Sequence, residues 1–570
     1  MKSNARSVQN RTAGNHAFGK TDLEGALEHY NRAVRFAEAS DSGSGIDQLK
    51  NGGKTDMNNE NSEFKSVNEP LSLAYGNRSA VLFELGAFGD SLADIDRVLR
   101  DGHVLSEKTR LKLERRRQLA KERVASIRKT DKSRTNLELY FAMHDQVSGL
   151  SSAVQLAYSR EKGRHLIASR AIPAGSVCVV ERPYCCVLLK HAAHTRCYAC
   201  CRQLPFAFVP CQFCAEPFVS YCDEECRDLA WTQYHQLECG HVERLMNLGI
   251  SHLALRILLC TEPKMLKTYY HNLALMDGVY GSEHCPILPE PSISFLAVAG
   301  LQSHLSSLSP GELSTYQQAA DGLIRFLKLR NYPFSGLSES ETHQALVGFI
   351  ARLICNAHAV QACETSTGRD TIVGEQTEEK VASGVYPTTS LLNHSCRPNC
   401  FTSFIDGNTI VVRCTVDLQP GDELLNCYGP EFGRQMRDDR RTALLEQYRF
   451  KCMCVACASD GECLLIEQEM TAVKCEAASL FHANNKLYVE FRDYSAACAA
   501  HQGDARTAVE LLIENLPALQ RWHGEKSLKV AREMLKIVDL QKLAGIEFGN
   551  LERKARNIVR LYYGNETACD

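Results

Sequence analysis

The sequence has no long apolar run and no excess of charge of either sign. Its 65 Lys and Arg residues stand against 68 Asp and Glu residues, which gives a formal net charge of -3. No stretch approaches the roughly 20 apolar residues that a membrane-spanning helix needs, and the first residues, MKSNARSVQN, lack the apolar core of a signal peptide. We therefore expect no membrane partner, no requirement for nucleic acid, and a reducing compartment.

The length and the cysteine content are the next constraints. A chain of 570 residues with 44% hydrophobic residues is too long for one core, so we expect three or four domains. The chain has 26 cysteines. In a reducing compartment cysteines are more often metal ligands or buried apolar side chains than disulfides, and metal ligands cluster.

One cysteine cluster lies between Cys197 and Cys239. It contains four short-spaced pairs of metal-ligand residues: Cys197 with Cys200, Cys211 with Cys214, Cys222 with Cys226, and His235 with Cys239. Each pair can present two donors from one turn, and two pairs complete a tetrahedral zinc site, so this segment predicts two structural zinc ions. Four correctly spaced pairs in one window disfavour the alternative, which is that these are ordinary buried cysteines.

The order and spacing of these pairs resemble a MYND zinc finger, with Tyr221 before the third pair, Trp231 before the fourth, and Cys201 as a spare cysteine. The resemblance implies interleaved pairing. One zinc ion would be held by Cys197, Cys200, Cys222 and Cys226, and the other by Cys211, Cys214, His235 and Cys239. It also implies that the finger binds Pro-rich motifs of corepressor or deacetylase partners.

A second cysteine group combines two distant segments. YRFKCMCVAC supplies three thiols without a local fourth: Cys452, Cys454 and Cys457. NHSCRPNC, which begins at Asn393, supplies Cys396 as the fourth ligand of a third closed zinc site. The competing hypothesis makes Cys396 or Cys400 a nucleophile, but no glycine-framed nucleophile turn and no general-base arrangement accompanies them.

The NHSC segment also belongs to a wider pattern. A predicted strand at 408–416 follows it, QPGDELLNCYGP follows that strand, and EKGRHLIASRAIPAGSVCVVERP lies earlier in the chain. This order resembles a SET methyltransferase core interrupted by the finger. From about residue 154 to the C-terminus the chain resembles the SET and MYND domain protein-lysine methyltransferases. The resemblance implies S-adenosylmethionine as cofactor, and a strand after GDEL that threads beneath its pocket as a knot.

The resemblance also implies roles for single residues. Tyr428 is the expected catalytic residue and also contacts the cofactor, and Asn356 matches a substrate-channel position, with a core amide as an equal alternative. His165 departs from the family pattern, in which many members have glycine, and its side chain either crowds the nucleotide or turns outward. The remaining expected cofactor contacts are Lys162, Gly163, Arg164, His304, Asn393, His394 and Phe450, of which His304 is the weaker match.

The N-terminal region contains a repeat. GALEHYNRAV and DSLADIDRVL carry side chains at the same spacing: Ala26, Tyr30 and Ala33 in the first, and Ser91, Ile95 and Val98 in the second. This pattern resembles tetratricopeptide repeats, with a polar, Gly-rich insert at 41–70 that we expect to be disordered. The basic segment 108–129 predicts a solvated helix rather than a site for an acidic partner. Helical periodicity near the C-terminus predicts stacked helix pairs.

These observations predict an α+β multidomain fold and a monomer, located in the cytoplasm and nucleus. The polar segment 363–383 is interpreted as a surface insertion or as a mobile loop that gates the cleft. The predicted domains are a tetratricopeptide-like region at 1–130, the N-terminal part of a SET domain at 154–196, a MYND finger at 197–239, a helical SET insertion at 240–345, the SET catalytic core at 346–432, a post-SET zinc segment at 433–465, and C-terminal helical repeats at 466–570.

The preferred function is a lysine methyltransferase that acts on a histone or non-histone protein and carries three zinc ions. Methyl transfer from a sulfonium to an amine needs alignment, a neutral amine and exclusion of water, so neither a catalytic metal nor a covalent nucleophile is required. The alternative is a weakly active or silent scaffold that recruits corepressors through the finger and the helical repeats. His165 favours this alternative, whereas Asn393, His394 and Tyr428 argue against it.

Overall fold

The computed structural model describes residues 2–38, 69–100, 106–128, 138–145, 147–268, 270, 295–365, 376–432, 435, 437–458, 486–546 and 549–563. The chain divides into two compact units, Met1–Ser133 with Val187–His252, and Arg134–Cys186 with Leu253–Asp570. Each unit is therefore built from two separate stretches of the chain. Within the described ranges, no helix is long and apolar enough to cross a membrane.

Helices dominate both ends of the chain, and strands occupy its middle, which confirms the predicted α+β architecture. The described α-helices, α1 to α18 in chain order, are Asn4–Gly19, Leu23–Phe36, Glu69–Glu84, Phe88–Arg100, Glu107–Arg128, Glu224–Ala230, Gln236–Glu238, Val242–Met246, Ile250–Cys260, Phe295–Ala299, Pro310–Leu329, Glu339–Asn356, Arg437–Tyr448, Val455–Ala458, Lys486–His501, Ala505–His523, Leu528–Ala544 and Leu551–Tyr563. Short 3-10 turns lie at Lys190–Ala192, Leu305–Ser307 and Thr389–Leu391, and a π-helical turn lies at Trp231–His235.

The strands are short. In chain order, β1 to β12 are Val154–Ser159, Gly163–Ala168, Val177–Glu181, Cys186–Leu188, Val209–Pro210, Ser220–Tyr221, Ala357–Thr365, Gln376–Val385, Asn393–His394, Cys400–Ile405, Thr409–Cys414 and Leu425–Asn426. The predicted strand at 408–416 corresponds to the slightly shorter β11. The predicted boundary between insertion and catalytic core at 345/346 falls inside α12.

In the first unit, α1 packs on α2 and α3 packs on α4. The six repeat positions that the sequence pattern singled out are all buried between these helices. The helical character of this region is confirmed, whereas its identity as tetratricopeptide repeats stays a prediction. Most of the predicted insert at 41–70 lies outside the described residues, and the insert was drawn too long, because Glu69 and Pro70 belong to α3.

A buried ion network joins α3 and α4 to the finger within the same unit. The Arg78 guanidinium donates to both carboxylate oxygens of Asp94 at 2.7 and 2.8 Å, and Arg97 donates to Asp94 at 2.8 Å. Arg97 also donates to the Ala207 carbonyl at 2.7 Å and to Glu224 at 2.8 Å. Because removing one partner would leave an uncompensated buried charge, this network ties the finger firmly to the helices.

In the second unit, three small sheets meet around one apolar core. Strands β10, β11 and β3 form an antiparallel sheet, β1 and β2 form a hairpin, and β12 runs parallel to β9. The core between them contains Leu150, Leu166, Val179, Val412 and Leu424, all buried. The β9 and β12 pairing is short, but it brings the NHSC segment beside the segment that leads to Tyr428.

The prediction of a loop across 363–383 is wrong at both of its ends. Strand β7 continues to Thr365, and β8 begins at Gln376 and pairs with β7. Val381 and Ala382 are buried on β8, although the polar residues around them make the segment resemble a loop in sequence. Ala382 pairs with Val360 of β7 next to a register shift, so this strand forms without an apolar run. Residues 366–375 lie outside the described part of the chain.

The C-terminal helices α15 to α18 stack in sequence order, as predicted from their periodicity. Their shared core includes Leu512, Ile537 and Ile558. The last helix also contacts the central sheet, because the Tyr562 ring lies edge-on to Phe401 of β10 with 4.6 Å between ring centroids. These helices are therefore part of the unit that contains the predicted active site.

Candidate active site and zinc sites

The finger brings its eight predicted ligands into two groups of four, which are the groups implied by the MYND resemblance: Cys197, Cys200, Cys222 and Cys226, and Cys211, Cys214, His235 and Cys239. Within each group all donor atoms lie within 4.8 Å of one another. The thiols also receive hydrogen bonds suited to thiolates. Cys200 Sγ lies 3.2 Å from Arg202 Nε, and Cys211 Sγ lies 3.3 Å from the Phe213 N–H. The donor sets and their surroundings fit zinc.

The third group joins the NHSC segment to the segment after α13, and its members are Cys396, Cys452, Cys454 and Cys457. Cys396 Sγ lies 3.6 Å from Cys457 Sγ and 3.9 Å from Cys452 Sγ. The buried Arg440 guanidinium lies 3.6 Å from Cys457 Sγ and provides positive charge beside the thiols. A four-thiolate site with a neighbouring cation fits zinc. Cys400 is not a member of this group.

Cys400 lies instead on β10, directly across from Cys414 of β11. Its side chain is buried, and burial raises the pKa of its thiol well above the usual range. A buried, protonated thiol is a poor nucleophile. The position of Cys400 therefore gives no support to the nucleophile hypothesis.

The predicted cofactor loop lies beside Asn393. The Asn393 amide donates to the Lys162 carbonyl at 3.2 Å and to Glu423 Oε1 at 2.9 Å, while Lys162 Nζ binds Glu423 Oε2 at 2.7 Å. Gly163 has φ +65°, and a Cβ added there would meet no atom within 4 Å, so its backbone faces open space. Both amide hydrogens of Asn393 are occupied, which directs its carbonyl oxygen away from Glu423.

His394 connects the third cysteine group to the backbone of Tyr428. Its Nδ1 accepts the Tyr428 N–H at 3.0 Å, and its Nε2 lies 3.3 Å from Cys396 Sγ. Burial lowers the pKa of His394 to about 4, so the ring is neutral and carries its proton on Nε2. Both ring nitrogens thus have partners within the protein. What His394 offers to a neighbouring pocket is its ring face and its backbone.

Tyr428 lies at the centre of an aromatic group. Its hydroxyl donates to the Leu392 carbonyl at 2.7 Å. Its ring lies 5.2 Å from His394, 4.8 Å from Tyr448 and 6.4 Å from Phe450, measured between centroids. Loss of hydration raises the pKa of Tyr428 above its usual range, so the phenol stays protonated across the physiological range. Its hydroxyl is therefore a fixed dipole rather than a general base.

Two residues of this site were missed at the level of sequence. Tyr448 places its hydroxyl 3.1 Å from the Tyr428 carbonyl oxygen and faces the Tyr428 ring. Glu423 joins Lys162 to Asn393 across a long sequence separation. The signals were present: Glu423 lies inside the GDEL segment, and Tyr448 is two residues before Phe450. A single Tyr or Glu carries too little information to be selected without its partners.

The other predicted residues lie as follows. The Asn356 amide donates to the carbonyls of Gln302 and Arg352 at 2.9 and 2.7 Å, so its donors serve the local structure. His304 has a left-handed backbone with φ 51°, and burial together with the nearby charge of Arg449 lowers the pKa of its ring. Arg164 donates to the Gly300 carbonyl.

His165 does not turn outward. Its side chain is buried on β2, and its Nδ1 lies 2.9 Å from the carbonyl oxygen of Gly163. Of the two alternatives left open by the sequence, the outward rotamer is therefore wrong, because the imidazole finds a hydrogen-bond partner on its own strand. This contact holds the ring against the backbone of the predicted cofactor loop.

The finger presents a separate aromatic surface in the first unit. The rings of Phe213 and Trp231 stack at 4.2 Å between centroids, with 23° between their planes. They line a shallow cleft together with Gln212, Arg227 and Thr232. Phe213 is 47% exposed, so the stack is accessible in this unit. Flat aromatic walls of this kind suit proline rings.

The family model of the SET domain matches residues 163–429. The protein-lysine N-methyltransferase SMYD4 of Danio rerio is 29% identical in an alignment 532 positions long that covers 80% of this chain and 66% of that protein. SMYD4 of Homo sapiens is 23% identical in an alignment 649 positions long that covers 93% of this chain and 75% of that protein. The N-lysine methyltransferase SMYD2 of Mus musculus is 27% identical over 303 residues, 53% and 59% of the two chains. The chain thus spans just under two thirds of the zebrafish relative.

Proposed function

Because residues 163–429 match the SET domain and the chain is similar to the SMYD4 and SMYD2 methyltransferases, we propose that it belongs to the SET and MYND domain family and transfers a methyl group from S-adenosylmethionine to the side-chain amine of a lysine in a protein. One observation carries the proposal. The parallel pairing of β9 with β12 places Asn393 and His394 beside the segment that ends at Tyr428, with the loop at Lys162 adjacent to Asn393.

The residues at this site fit the proposed cofactor. Asn393 Oδ1 and the open backbone at Gly163 suit the ammonium group of the cofactor's amino-acid end, and the ring of Phe450 suits an adenine face. Lys162, Arg164, His304 and His394 would complete the pocket. When bound, the cofactor supplies an electrophilic methyl group on a sulfonium. This chain needs only to orient the two reactants and exclude water.

Tyr428 is the residue that we propose aligns the lysine. Its hydroxyl hydrogen is committed to the Leu392 carbonyl, so its oxygen lone pairs remain to accept a hydrogen bond from a neutral lysine amine. Held in this way, the amine nitrogen would face the methyl group that the bound cofactor would supply, and the methylated amine would carry the positive charge. Tyr448 would form a second aromatic wall for that charge.

The metal content that we propose is three zinc ions per chain. Two would occupy the finger, and the third would join Cys396 to the three cysteines after α13. The third ion has a direct relation to the site, because Cys396 is two residues after His394, and Phe450 is two residues before Cys452. All three ions would be structural, since four protein ligands leave no open position for catalysis.

For partners, we propose that the Phe213 and Trp231 cleft binds Pro-rich peptides, as predicted from the finger. The proposed location in the cytoplasm and nucleus rests on the sequence alone. The comparisons do not favour an inactive scaffold as the whole function.

Calorimetry tests the proposed function at its first step. The zinc-loaded protein should bind S-adenosylmethionine and its demethylated product at one site per chain. Asn393→Ala should weaken both, because it removes an amide that orients the pocket. Absence of binding by the zinc-loaded wild-type protein would refute the proposal.

A further inference from the structure

The turn between Tyr448 and Phe450 has an unusual backbone. Helix α13 ends at Tyr448, and the next residue, Arg449, has φ +62°. Its N–H donates to the Leu445 carbonyl at 3.1 Å, which closes the end of the helix. A left-handed conformation is unfavourable for a residue with a side chain and persists only where other contacts hold it. It reverses the chain so that the residues on both sides face Tyr428.

The side chain of Glu312 makes a contact that can hold this turn. One of its carboxylate oxygens, Oε1, pairs with the guanidinium of Arg449. The other oxygen, Oε2, accepts from the backbone N–H and the hydroxyl of Ser309 at 2.9 and 2.7 Å. These bonds form the capping box at the start of α11. The carboxylate is therefore already oriented when it meets Arg449, which lowers the entropy cost of the ion pair.

A second contact ties the same turn to the next helix. The Cys355 thiol, near the end of α12, lies 3.4 Å from the Gln447 carbonyl oxygen. Helices α11 and α12 thus each make one contact with the residues just before Phe450. Of these two contacts, the one from Glu312 reaches Arg449 itself.

We propose that Glu312 is a positioning residue for methyl transfer. Through Arg449 it holds the left-handed turn that directs Tyr448 and Phe450 toward Tyr428 and His394. This inference rests on the proposed function in one respect, which is that Phe450 is assigned to the cofactor and Tyr448 to the lysine. It gives the helical insertion a defined task, which is to order one wall of the site from a distant part of the sequence.

The test compares Glu312→Gln with the wild type in two measurements. Hydrogen exchange of the peptide around Arg449, in the ligand-free protein, should become faster, because the turn opens more often. Cofactor affinity should fall by roughly two- to fivefold, the range of a partly exposed ion pair. Glu341→Gln is the matched control, since Glu341 caps α12 through Ser338 in the same geometry. It should leave both measurements at the wild-type values.

Arg449→Gly supplies the decisive background, because glycine adopts a left-handed conformation without the ion pair. In the Arg449→Gly protein, adding Glu312→Gln should change neither the hydrogen exchange of this turn nor the cofactor affinity. The inference would be overturned if Glu312→Gln had the exchange rate and cofactor affinity of the wild type. It would also be overturned if Glu312→Gln had the same effect in the wild type and in Arg449→Gly. If the wild type does not bind the cofactor, the proposed function fails, and the exchange measurements alone decide whether Glu312 orders the turn.

Discussion

Replacement of Tyr428 by phenylalanine should separate catalysis from binding. The change removes one hydroxyl, whose proton is donated to the Leu392 carbonyl at 2.7 Å, and keeps the ring that contacts His394 and Tyr448. The loss of one such hydrogen bond costs about 1 kcal/mol of folding free energy. In a unit of this size that lowers Tm by roughly 1–2 °C. The cofactor pocket should keep its affinity.

Turnover should change far more than stability. Without the hydroxyl oxygen, the lysine amine loses the acceptor that aligns it, and we expect kcat to fall about tenfold or more, equivalent to about 1.4 kcal/mol of transition-state stabilisation. The assay is transfer of labelled methyl to an identified substrate, with cofactor affinity measured by calorimetry on the same preparations.

Tyr448→Phe is the matched control for this experiment. It removes the same group from the neighbouring ring, where the hydroxyl donates to the Tyr428 backbone carbonyl. Its effect on turnover should be clearly smaller. If Tyr428→Phe methylates at the wild-type rate with the same degree of methylation, Tyr428 is a wall residue and the mechanism proposed for it is wrong.

Three further predictions concern metals, pH and the unusual histidine. Metal analysis should find three zinc ions per chain in the wild type. Cys396→Ser should retain two, and the control Cys400→Ser should retain three. Two zinc ions in the wild type, with no change in Cys396→Ser, would contradict the third site. Burial raises the pKa of Glu181 from 4.5 to about 7 despite bonds from Thr388 and Thr389. The wild type should therefore lose stability relative to Glu181→Gln, by roughly 3 kcal/mol at most, as pH rises from about 5 to about 8, and a constant difference in Tm would contradict this. His165→Gly should lower Tm without improving cofactor affinity, because the ring is held by Gly163; tighter binding would show that the ring crowds the nucleotide.

The zinc groups were predictable because each metal ligand carries its own chemical signal. Cys and His at short spacing identify a site even before its fold is known, and the distant Cys396 was the only candidate offered for the incomplete group. The helical repeat was equally visible, since burial at Ala26 and Ile95 follows directly from periodicity. These features depend on short stretches of sequence.

The features that were missed depend on contacts between distant stretches. Glu423, Tyr448 and Glu312 become important only because of what they meet: Asn393, Tyr428 and Arg449. The hairpin of β7 and β8 was missed for the same reason, since backbone pairing needs no apolar run. No local pattern distinguishes such residues from ordinary surface positions.

Direct identification of a methylated lysine tests the proposed methyl transfer. The zinc-loaded protein should be incubated with cell extract and S-adenosylmethionine carrying a labelled methyl group, and labelled proteins should be digested and sequenced by mass spectrometry. We expect label on the side-chain amine of lysine, reduced about tenfold or more in Tyr428→Phe. Cofactor binding without any labelled lysine, or equal labelling by the wild type and Tyr428→Phe, would contradict it.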